Sequence, residues 1–333
     1  MGHPRAALKI VFGSMTLGKQ GADQARVHDL EECAAIIDTF QEFGIKELDS
    51  ARSYCEGSCE EYLSRLDMPG RGIVVGTKLS PMTVNSLGTK GHGPESLRQG
   101  LLDSLKALGA AKVDLWYLHQ PDHGTPYEDT LREVNRLYTE GYFRRFGISN
   151  FSAWETTRIC EICIHNGWKR PDVYQGVYNA LHRSVEPELF PCLRHYGIAF
   201  YQYNPLAGGI LTDHYQRSDV AHEEGSRFDP ARKQGALYRG RYWRDEFFDA
   251  LDVVRPVAHA LGITTAEAAL RWSLHHSSMS KEAGDAVIIG ASSAAQLREN
   301  LLSTEKGPLP DELVEAFDRA YDKVKGHCHP YFK

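Results

Sequence analysis

Residues 47–54 of the chain read ELDSARSY, a short strand-like run that ends at Asp49 and is followed five residues later by Tyr54. Two further titratable residues stand at the ends of the next apolar runs: Lys78 in GTK and His119 in LWYLH. Active sites of α/β barrels lie at the carboxyl ends of the strands. Four such residues in chain order therefore predict one site at the rim of a barrel.

Strand-like and helix-like runs alternate along the chain. The strand-like runs cover residues 8–12, 45–48, 73–76, 113–118, 143–148, 173–177, 198–202 and 286–289. Such alternation implies a parallel sheet, either a doubly wound open sheet or a closed (β/α)8 barrel. Eight units in about 300 residues, joined by short links, favour the α/β class with a TIM barrel.

No linker rich in proline or serine divides the sequence, so we predict a single domain over residues 1–333. Two segments depart from the repeating pattern. Residues 213–244 are predicted to form a long polar loop after strand 7, over the site, and residues 305–333 a C-terminal helix and tail.

Composition argues against several classes of partner. The chain has 333 residues and a formal net charge of −6, and it contains no block of lysine and arginine, so we expect no nucleic-acid partner. No apolar run approaches the roughly 20 residues of a membrane-spanning helix. The seven cysteines are odd in number and irregularly spaced, which is typical of reduced thiols in the cytoplasm. The Cys160–Cys163 pair has no second CxxC beside it, so no metal site is predicted.

The four titratable residues suit acid catalysis. A tyrosine has a pKa of about 10 in model peptides, and an ammonium such as that of Lys78 would lower the pKa of Tyr54. A paired carboxylate, Asp49, would offset the cost of burying the lysine. A neutral His119 could orient a substrate carbonyl while the tyrosine protonates its oxygen. Protein side chains cannot donate a hydride, so a nicotinamide cofactor is implied. In isolation, Asp49 and Lys78 would instead suggest a structural ion pair.

Neither GxGxxG nor GxxxxGK[ST] follows a strand, so the usual phosphate-binding loops are absent. A barrel can hold phosphates in the loops after strands 7 and 8 and at a helix N-terminus. The corresponding segments here are NPLAGG at residues 204–209 and GASS at residues 290–293. Ordinary turn chemistry remains the alternative interpretation of both segments.

Six longer segments support a family resemblance. They are YLHQPDHGTP (117–126), GISNF (147–151), VYQGVYN (173–179), ELFPCLRH (188–195), YNPLAGG (203–209) and GDAVIIG (284–290). With these segments the chain resembles the aldo-keto reductases, and within them the aflatoxin aldehyde reductase subgroup, almost from end to end. The resemblance implies that Asp49, Tyr54, Lys78 and His119 are the catalytic tetrad, with Tyr54 as the proton donor.

The resemblance also implies NADPH/NADP+ as the cofactor. The residues assigned to it are Asp49, Ser149, Asn150, Gln175, Tyr203, Asn204, Pro205, Leu206, Ala207, Gly208, Gly209, Arg227, Ser292, Ser293, Gln296 and Asn300. In the family pattern, residues 149, 150 and 175 hold the nicotinamide carboxamide, residue 203 stacks on its ring, residues from 204 to about 214 contact the pyrophosphate, and residues 227 and 292–300 contact the adenosine phosphate. The substrate-side positions are Met15, His119, Tyr238, Arg241 and Lys333.

The chain departs from the subgroup at two places. Lys333 stands where the subgroup has an arginine, and the early loop lacks the subgroup's paired arginines. A lysine is a point charge without the bidentate fork that holds a carboxylate, so we expect a weaker preference for acidic aldehydes. Arg241 keeps some preference for anions open.

We therefore expect an enzyme that uses NADPH to reduce small-molecule aldehydes, including dialdehydes or ketoaldehydes, to alcohols. The alternative is a cofactor-binding regulatory subunit, because potassium-channel β subunits resemble the same family. The subgroup also implies a homodimer.

Overall fold

The structure is a computed structural model that describes residues 8–218 and 225–333. Eight parallel strands form a closed barrel in chain order, with β8 paired to β1. The strands are β1 Lys9–Gly13, β2 Glu47–Asp49, β3 Val74–Leu79, β4 Val113–Leu118, β5 Phe143–Ser149, β6 Val173–Val177, β7 Ala199–Tyr203 and β8 Ala286–Ile289. Closure confirms the predicted TIM barrel and excludes the open sheet.

Helices surround the barrel. They are α1 Leu30–Glu42, α2 Ser58–Ser64, α3 Pro94–Leu108, α4 Tyr127–Thr139, α5 Ala153–Asn166, α6 Leu189–Tyr196, α7 Lys233–Tyr242, α8 Asp245–Ala260, α9 Thr265–His275, α10 Ala294–Thr304 and α11 Asp311–Val324. Their ends follow local chemistry. For example, Ser152 and Glu155 form a reciprocal capping box at the start of α5, and Gly109 ends α3 in a left-handed conformation. Within the described part of the chain, no helix has the length and apolarity to cross a membrane.

Three predicted boundaries need correction. Strand β3 runs on to Leu79 rather than stopping at Gly76, so Lys78 lies inside the strand. Tyr203 is the last residue of β7 rather than the first residue of the loop after it. The segment 213–244 is not loop throughout, because it contains α7, and its residues 219–224 lie outside the described residues. The buried positions of α7 are glycine and tyrosine, so its apolar periodicity is weak in the sequence.

The barrel interior has layers of different chemistry. Alternate side chains of the strands point inward, and the middle of the barrel is filled by Val11, Leu115, Tyr117, Val173, Tyr201, Ala286 and Ile288. At the amino-terminal end, Glu47 forms ion pairs with Lys9 and Arg145. Asp49 and Lys78 lie at the carboxyl end, on top of the apolar layer. The packed interior thus supplies a rigid floor for the residues above it.

The packing of Tyr117 gives a test of this interior. A Cβ atom at Gly147 would lie 2.2 Å from Cδ1 of the fully buried Tyr117 ring. Gly147→Ala should therefore lower the free energy of unfolding by about 1–3 kcal/mol, since overpacking forces the ring or the backbone to shift. Urea denaturation measures the change. Gly326→Ala is the control, because its Cβ would meet nothing within 4 Å, and we expect a change within about 0.5 kcal/mol. Equal losses in the two variants would contradict this account.

Candidate active site

A buried ion pair forms the base of the site. The Nζ atom of Lys78 lies 2.5 Å from Oδ2 of Asp49 and donates a second hydrogen bond to the carbonyl oxygen of Ser50 at 2.7 Å. The other carboxylate oxygen, Oδ1 of Asp49, accepts a hydrogen bond from Nε2 of Gln175 at 2.8 Å. The lysine side chain is completely inaccessible to solvent. Residues of β2, β3 and β6 thus meet in one polar cluster.

Tyr54 and His119 lie directly above this pair. The Nζ atom of Lys78 is 4.8 Å from the centre of the Tyr54 ring. The Tyr54 and His119 rings meet edge to face, with their centroids 6.0 Å apart. Nδ1 of His119 is buried and has no hydrogen-bond partner among the described residues. The structure therefore brings together the four residues that the sequence placed at successive strand ends.

Burial controls the protonation of the tetrad. It lowers the pKa of Lys78 and raises the pKa of Asp49, and the opposite charge of the partner limits each shift. Burial, followed by repulsion from Lys78, holds the pKa of His119 well below its usual value, so the imidazole is neutral.

The pKa of Tyr54 runs against the sequence prediction. Burial, and after it the charge of Asp49, raises this pKa well above its usual value. The depressed pKa that the sequence predicted is therefore not found among the protein's own residues, because burial outweighs the lowering expected from Lys78. One physical reason is that the carboxylate of Asp49, 2.5 Å from the lysine, offsets much of its charge. The phenol has also lost the water that would solvate a phenolate. Tyr54 is thus held as a protonated acid.

A cavity of about 370 Å³ opens above the tetrad. Most of the residues predicted for cofactor and substrate line it, namely Met15, Asp49, Tyr54, His119, Ser149, Asn150, Gln175, Tyr203, Asn204, Pro205, Leu206, Arg227, Tyr238, Arg241 and Lys333. Lys78 lies beneath the cavity and does not line it. Its predicted action is therefore exerted through the Tyr54 ring rather than by direct contact with a ligand.

Asn150 joins several rim elements. Its backbone is left-handed, with φ of 64°, which asparagine tolerates better than most residues. Its Nδ2 donates to the carbonyl oxygen of His119 at 2.9 Å, and its Oδ1 accepts from the hydroxyl of Tyr203 at 2.8 Å. The backbone N–H of Lys333 donates to the carbonyl oxygen of Asn150 at 3.0 Å. Both ends of the Asn150 amide are thus already used by protein groups.

The loop after β7 contains four residues with positive φ, and two of them, Asn204 and Gly208, lie against Tyr238. Asn204 has φ of 60°, and its Oδ1 accepts a hydrogen bond from the Tyr238 hydroxyl at 2.9 Å. Gly208 has φ of 74°, and a Cβ there would lie 2.4 Å from the Tyr238 ring. Ala207, Gly208 and Gly209 all have positive φ and form a tight turn, and none of the three lines the cavity. Only the first half of the predicted pyrophosphate loop therefore faces the cavity.

Of the residues predicted to bind the adenosine phosphate, one lines the cavity and the others do not. Arg227 lines the cavity and lies 5.7 Å from the Tyr238 ring. The side chain of Ser293 caps α10 by accepting a hydrogen bond from the backbone N–H of Gln296. The side-chain oxygen of Gln296 accepts a hydrogen bond from the backbone N–H of Ser292. These three residues and Asn300 lie outside the cavity lining. Asn300 is buried, and its Nδ2 has no partner among the described residues.

Several cavity residues were missed from the sequence. They are Gly13, Asp23, Gln24, Ser53, Lys233, Gln234, Leu237, Ile288 and Ile289, whereas Gly290, which also lines the cavity, belongs to the predicted GASS segment. Three of them lie on α7, which was predicted as loop. A signal was present, because Gln234, Leu237, Tyr238 and Arg241 have the i, i+3, i+4, i+7 spacing of one helical face. Among the residues that the structure describes, no cluster of His, Cys, Asp and Glu is placed to hold a metal ion.

The barrel thus holds an acid, a neutral histidine and a buried lysine–aspartate pair together at its carboxyl rim, an arrangement that suits protonation of an oxygen atom. Residues 9–322 match the family model described as the Aldo/keto reductase family, and the chain belongs to that family. It is 55% identical to an aldo-keto reductase of Pseudocercospora fijiensis, over 89% of this chain and 100% of the relative. It is 43% identical to aflatoxin B1 aldehyde reductase member 2 of Mus musculus, over 97% of this chain and 87% of the relative.

A third relative, the aldo-keto reductase pigE of Monascus ruber, is 44% identical over 99% of this chain and 98% of the relative. These similarities confirm the resemblance stated from the sequence. The protein is therefore an oxidoreductase of the aldo-keto reductase type.

The ion pair yields a prediction about stability. Lys78→Met should cost about 3–5 kcal/mol of unfolding free energy, because it leaves the Asp49 carboxylate buried without its cation. Adding Asp49→Asn should recover part of that loss, since the amide carries no charge. Chemical denaturation of both variants measures these changes. Lys169→Met is the control, because it removes a partly exposed pair with Asp172, for which we expect about 0–1 kcal/mol. A double variant less stable than Lys78→Met would count against the explanation.

Proposed function

We propose that this protein uses NADPH to reduce aldehydes to alcohols, with Tyr54 donating the proton. The observation that carries the proposal is the convergence of a protonated Tyr54, a neutral His119 and the Lys78–Asp49 pair at the floor of one cavity. None of these groups is a hydride donor. A reduction at this site therefore requires a cofactor.

Residues around the cavity fit a dinucleotide. Two residues that line it, Asn204 and Gln24, have buried polar atoms without partners among the described residues, namely Nδ2 of Asn204 and Oε1 of Gln24. Such atoms are costly to leave unpaired, so they indicate a polar ligand. Gln175 and Ser149 would contact the nicotinamide, Asn204 and Leu206 the pyrophosphate, and Arg227 the adenosine phosphate. When bound, the cofactor supplies the hydride.

The chain's own residues would bind and protonate the carbonyl oxygen. The high pKa of Tyr54 keeps its proton in place until negative charge develops on that oxygen, and the phenol can then donate it. The neutral His119 offers a hydrogen bond to the same oxygen without competing as a strong acid. Lys78 lies under the Tyr54 ring and would stabilise the phenolate that remains.

The substrate would enter past two cations. Arg241 and Lys333 line the cavity, and repulsion from Arg241 is the second cause, after burial, that lowers the pKa of Lys333. Two like charges at one rim favour substrates with a second oxygen-rich group, such as dialdehydes or ketoaldehydes. We also propose, from the subgroup to which the mouse relative belongs, that the protein is a cytoplasmic homodimer.

Removal of the Tyr54 hydroxyl tests the proton donor. In Tyr54→Phe we expect kcat for 4-nitrobenzaldehyde to fall about 10²–10⁴-fold, because no other group replaces the acid. NADPH affinity, measured by fluorescence titration, should change little. Tyr62→Phe is the control, since its hydroxyl donates a hydrogen bond to the carbonyl oxygen of His28 and the residue lies outside the cavity lining. An unchanged rate in Tyr54→Phe would refute the assignment. A wild-type protein that binds cofactor but turns over no aldehyde in a broad panel would favour the regulatory-subunit alternative.

Removal of the Arg227 charge tests the choice of cofactor. In Arg227→Met we expect the NADPH dissociation constant to rise about 10- to 100-fold, which corresponds to a lost hydrogen bond to a charged group. The NADH dissociation constant should stay the same, because NADH lacks the 2′-phosphate. Isothermal titration with both cofactors measures this. Arg217→Met, which changes an exposed arginine outside the cavity, should leave both constants unaltered. A parallel loss of NADH affinity in Arg227→Met would argue against 2′-phosphate recognition.

A further inference from the structure

The segment that carries Tyr54 has an unfavourable backbone. The three residues that follow it, Cys55, Glu56 and Gly57, have φ angles of 49°, 56° and 95°. Only glycine visits this left-handed region freely, so Cys55 and Glu56 are strained. Such strain persists only where the surrounding structure holds it. The position of the Tyr54 ring therefore depends on contacts made by its neighbours.

Arg52 makes several of the contacts that hold this segment. Its backbone N–H donates to the carbonyl oxygen of Lys78 at 3.0 Å, which ties the loop to β3. Its NH1 lies 2.6 Å from Oε2 of Glu60 on α2. Its guanidinium also lies against Gly57, where a Cβ atom would approach NH2 to 2.2 Å. The backbone of Arg52 thus ties the entry of the strained turn to β3, while its side chain lies against the end of the turn and against α2.

Glu60 connects this arginine to the strand that carries Lys78. It is fully buried, and its second oxygen accepts a hydrogen bond from the hydroxyl of Thr77 at 2.6 Å. Successive side chains of a strand point to opposite faces. Thr77 therefore faces α2 while Lys78 faces the barrel interior. Through Glu60, the loop of Tyr54 and the strand of Lys78 are fixed to the same carboxylate.

We propose that Arg52 and Glu60 are positioning residues, which hold Tyr54 at its working distance from Lys78 and His119. The proposal rests on the proposed function, because it assigns a purpose to the placement of the proton donor. A buried ion pair is often no more stabilising than apolar residues of similar volume. Fixing one geometry is accordingly a better explanation for burying this carboxylate than stability alone.

The test replaces the carboxylate with an amide of nearly the same shape. Glu60→Gln should lower kcat about 10- to 100-fold, since small misplacement of a reacting group is costly. NADPH affinity should remain within about twofold, because Glu60 lies outside the cavity. Glu133→Gln is the matched control. Glu133 is another buried helix carboxylate, paired with Arg98 on a neighbouring helix, and its loss should leave kcat unchanged even where the melting temperature falls equally.

Further variants separate positioning from folding. Arg52→Lys keeps the charge but lacks the planar fork, so we expect a folded protein with an intermediate loss of kcat. Arg52→Met combined with Glu60→Gln should be no slower than the worse single variant, because residues that act as one unit are not additive. Wild-type kcat in either folded Glu60→Gln or folded Arg52→Lys would overturn the proposal. That result would leave the role of Tyr54 intact, since Tyr54→Phe tests the proton donor independently.

Discussion

The ion pair between Lys78 and Asp49 is the interaction on which the site depends. Removing two charges from water costs several kcal/mol each in a protein interior, and close geometry with added hydrogen bonds must offset that cost. Here Gln175 and the carbonyl oxygen of Ser50 supply those bonds. Because the partners come from β2, β3 and β6, the pair is complete only when the barrel has closed. Folding and assembly of the site are thus one event.

The same burial that makes the pair costly also sets the protonation of its neighbours. Tyr54 and His119 lose solvent together with Lys78, which raises the pKa of the phenol and lowers that of the imidazole. Each shift favours the uncharged form. The site therefore contains an acid that keeps its proton and a hydrogen-bonding group that stays neutral. A solvent-exposed tetrad of the same residues would lack both properties.

The sequence predicted the barrel and the tetrad because each strand is a local apolar run and each tetrad residue stands near the end of one. It missed the end of β3, since Thr77 and Lys78 are polar residues that become buried only by pairing with Glu60 and Asp49. It missed α7 because the buried face of that helix is built from tyrosine and glycine. These errors share a cause, which is that the partners are distant in sequence.

Buried charges at the two ends of the barrel have different roles, one in stability and the other in function. At the amino-terminal end, Glu47 is shared by Lys9 and Arg145, and Asp114 is held by Arg145 as well. The acidic and basic groups there are paired with one another, and their network fills the amino-terminal end of the barrel. At the carboxyl end the ion pair is equally well matched, yet Nδ1 of His119 lacks a partner among the described residues and the ring faces a cavity. Buried polar groups normally find partners within the protein or in ordered water. An unpaired polar atom in a ring that lines a cavity therefore identifies the carboxyl end of the barrel as the one suited to chemistry.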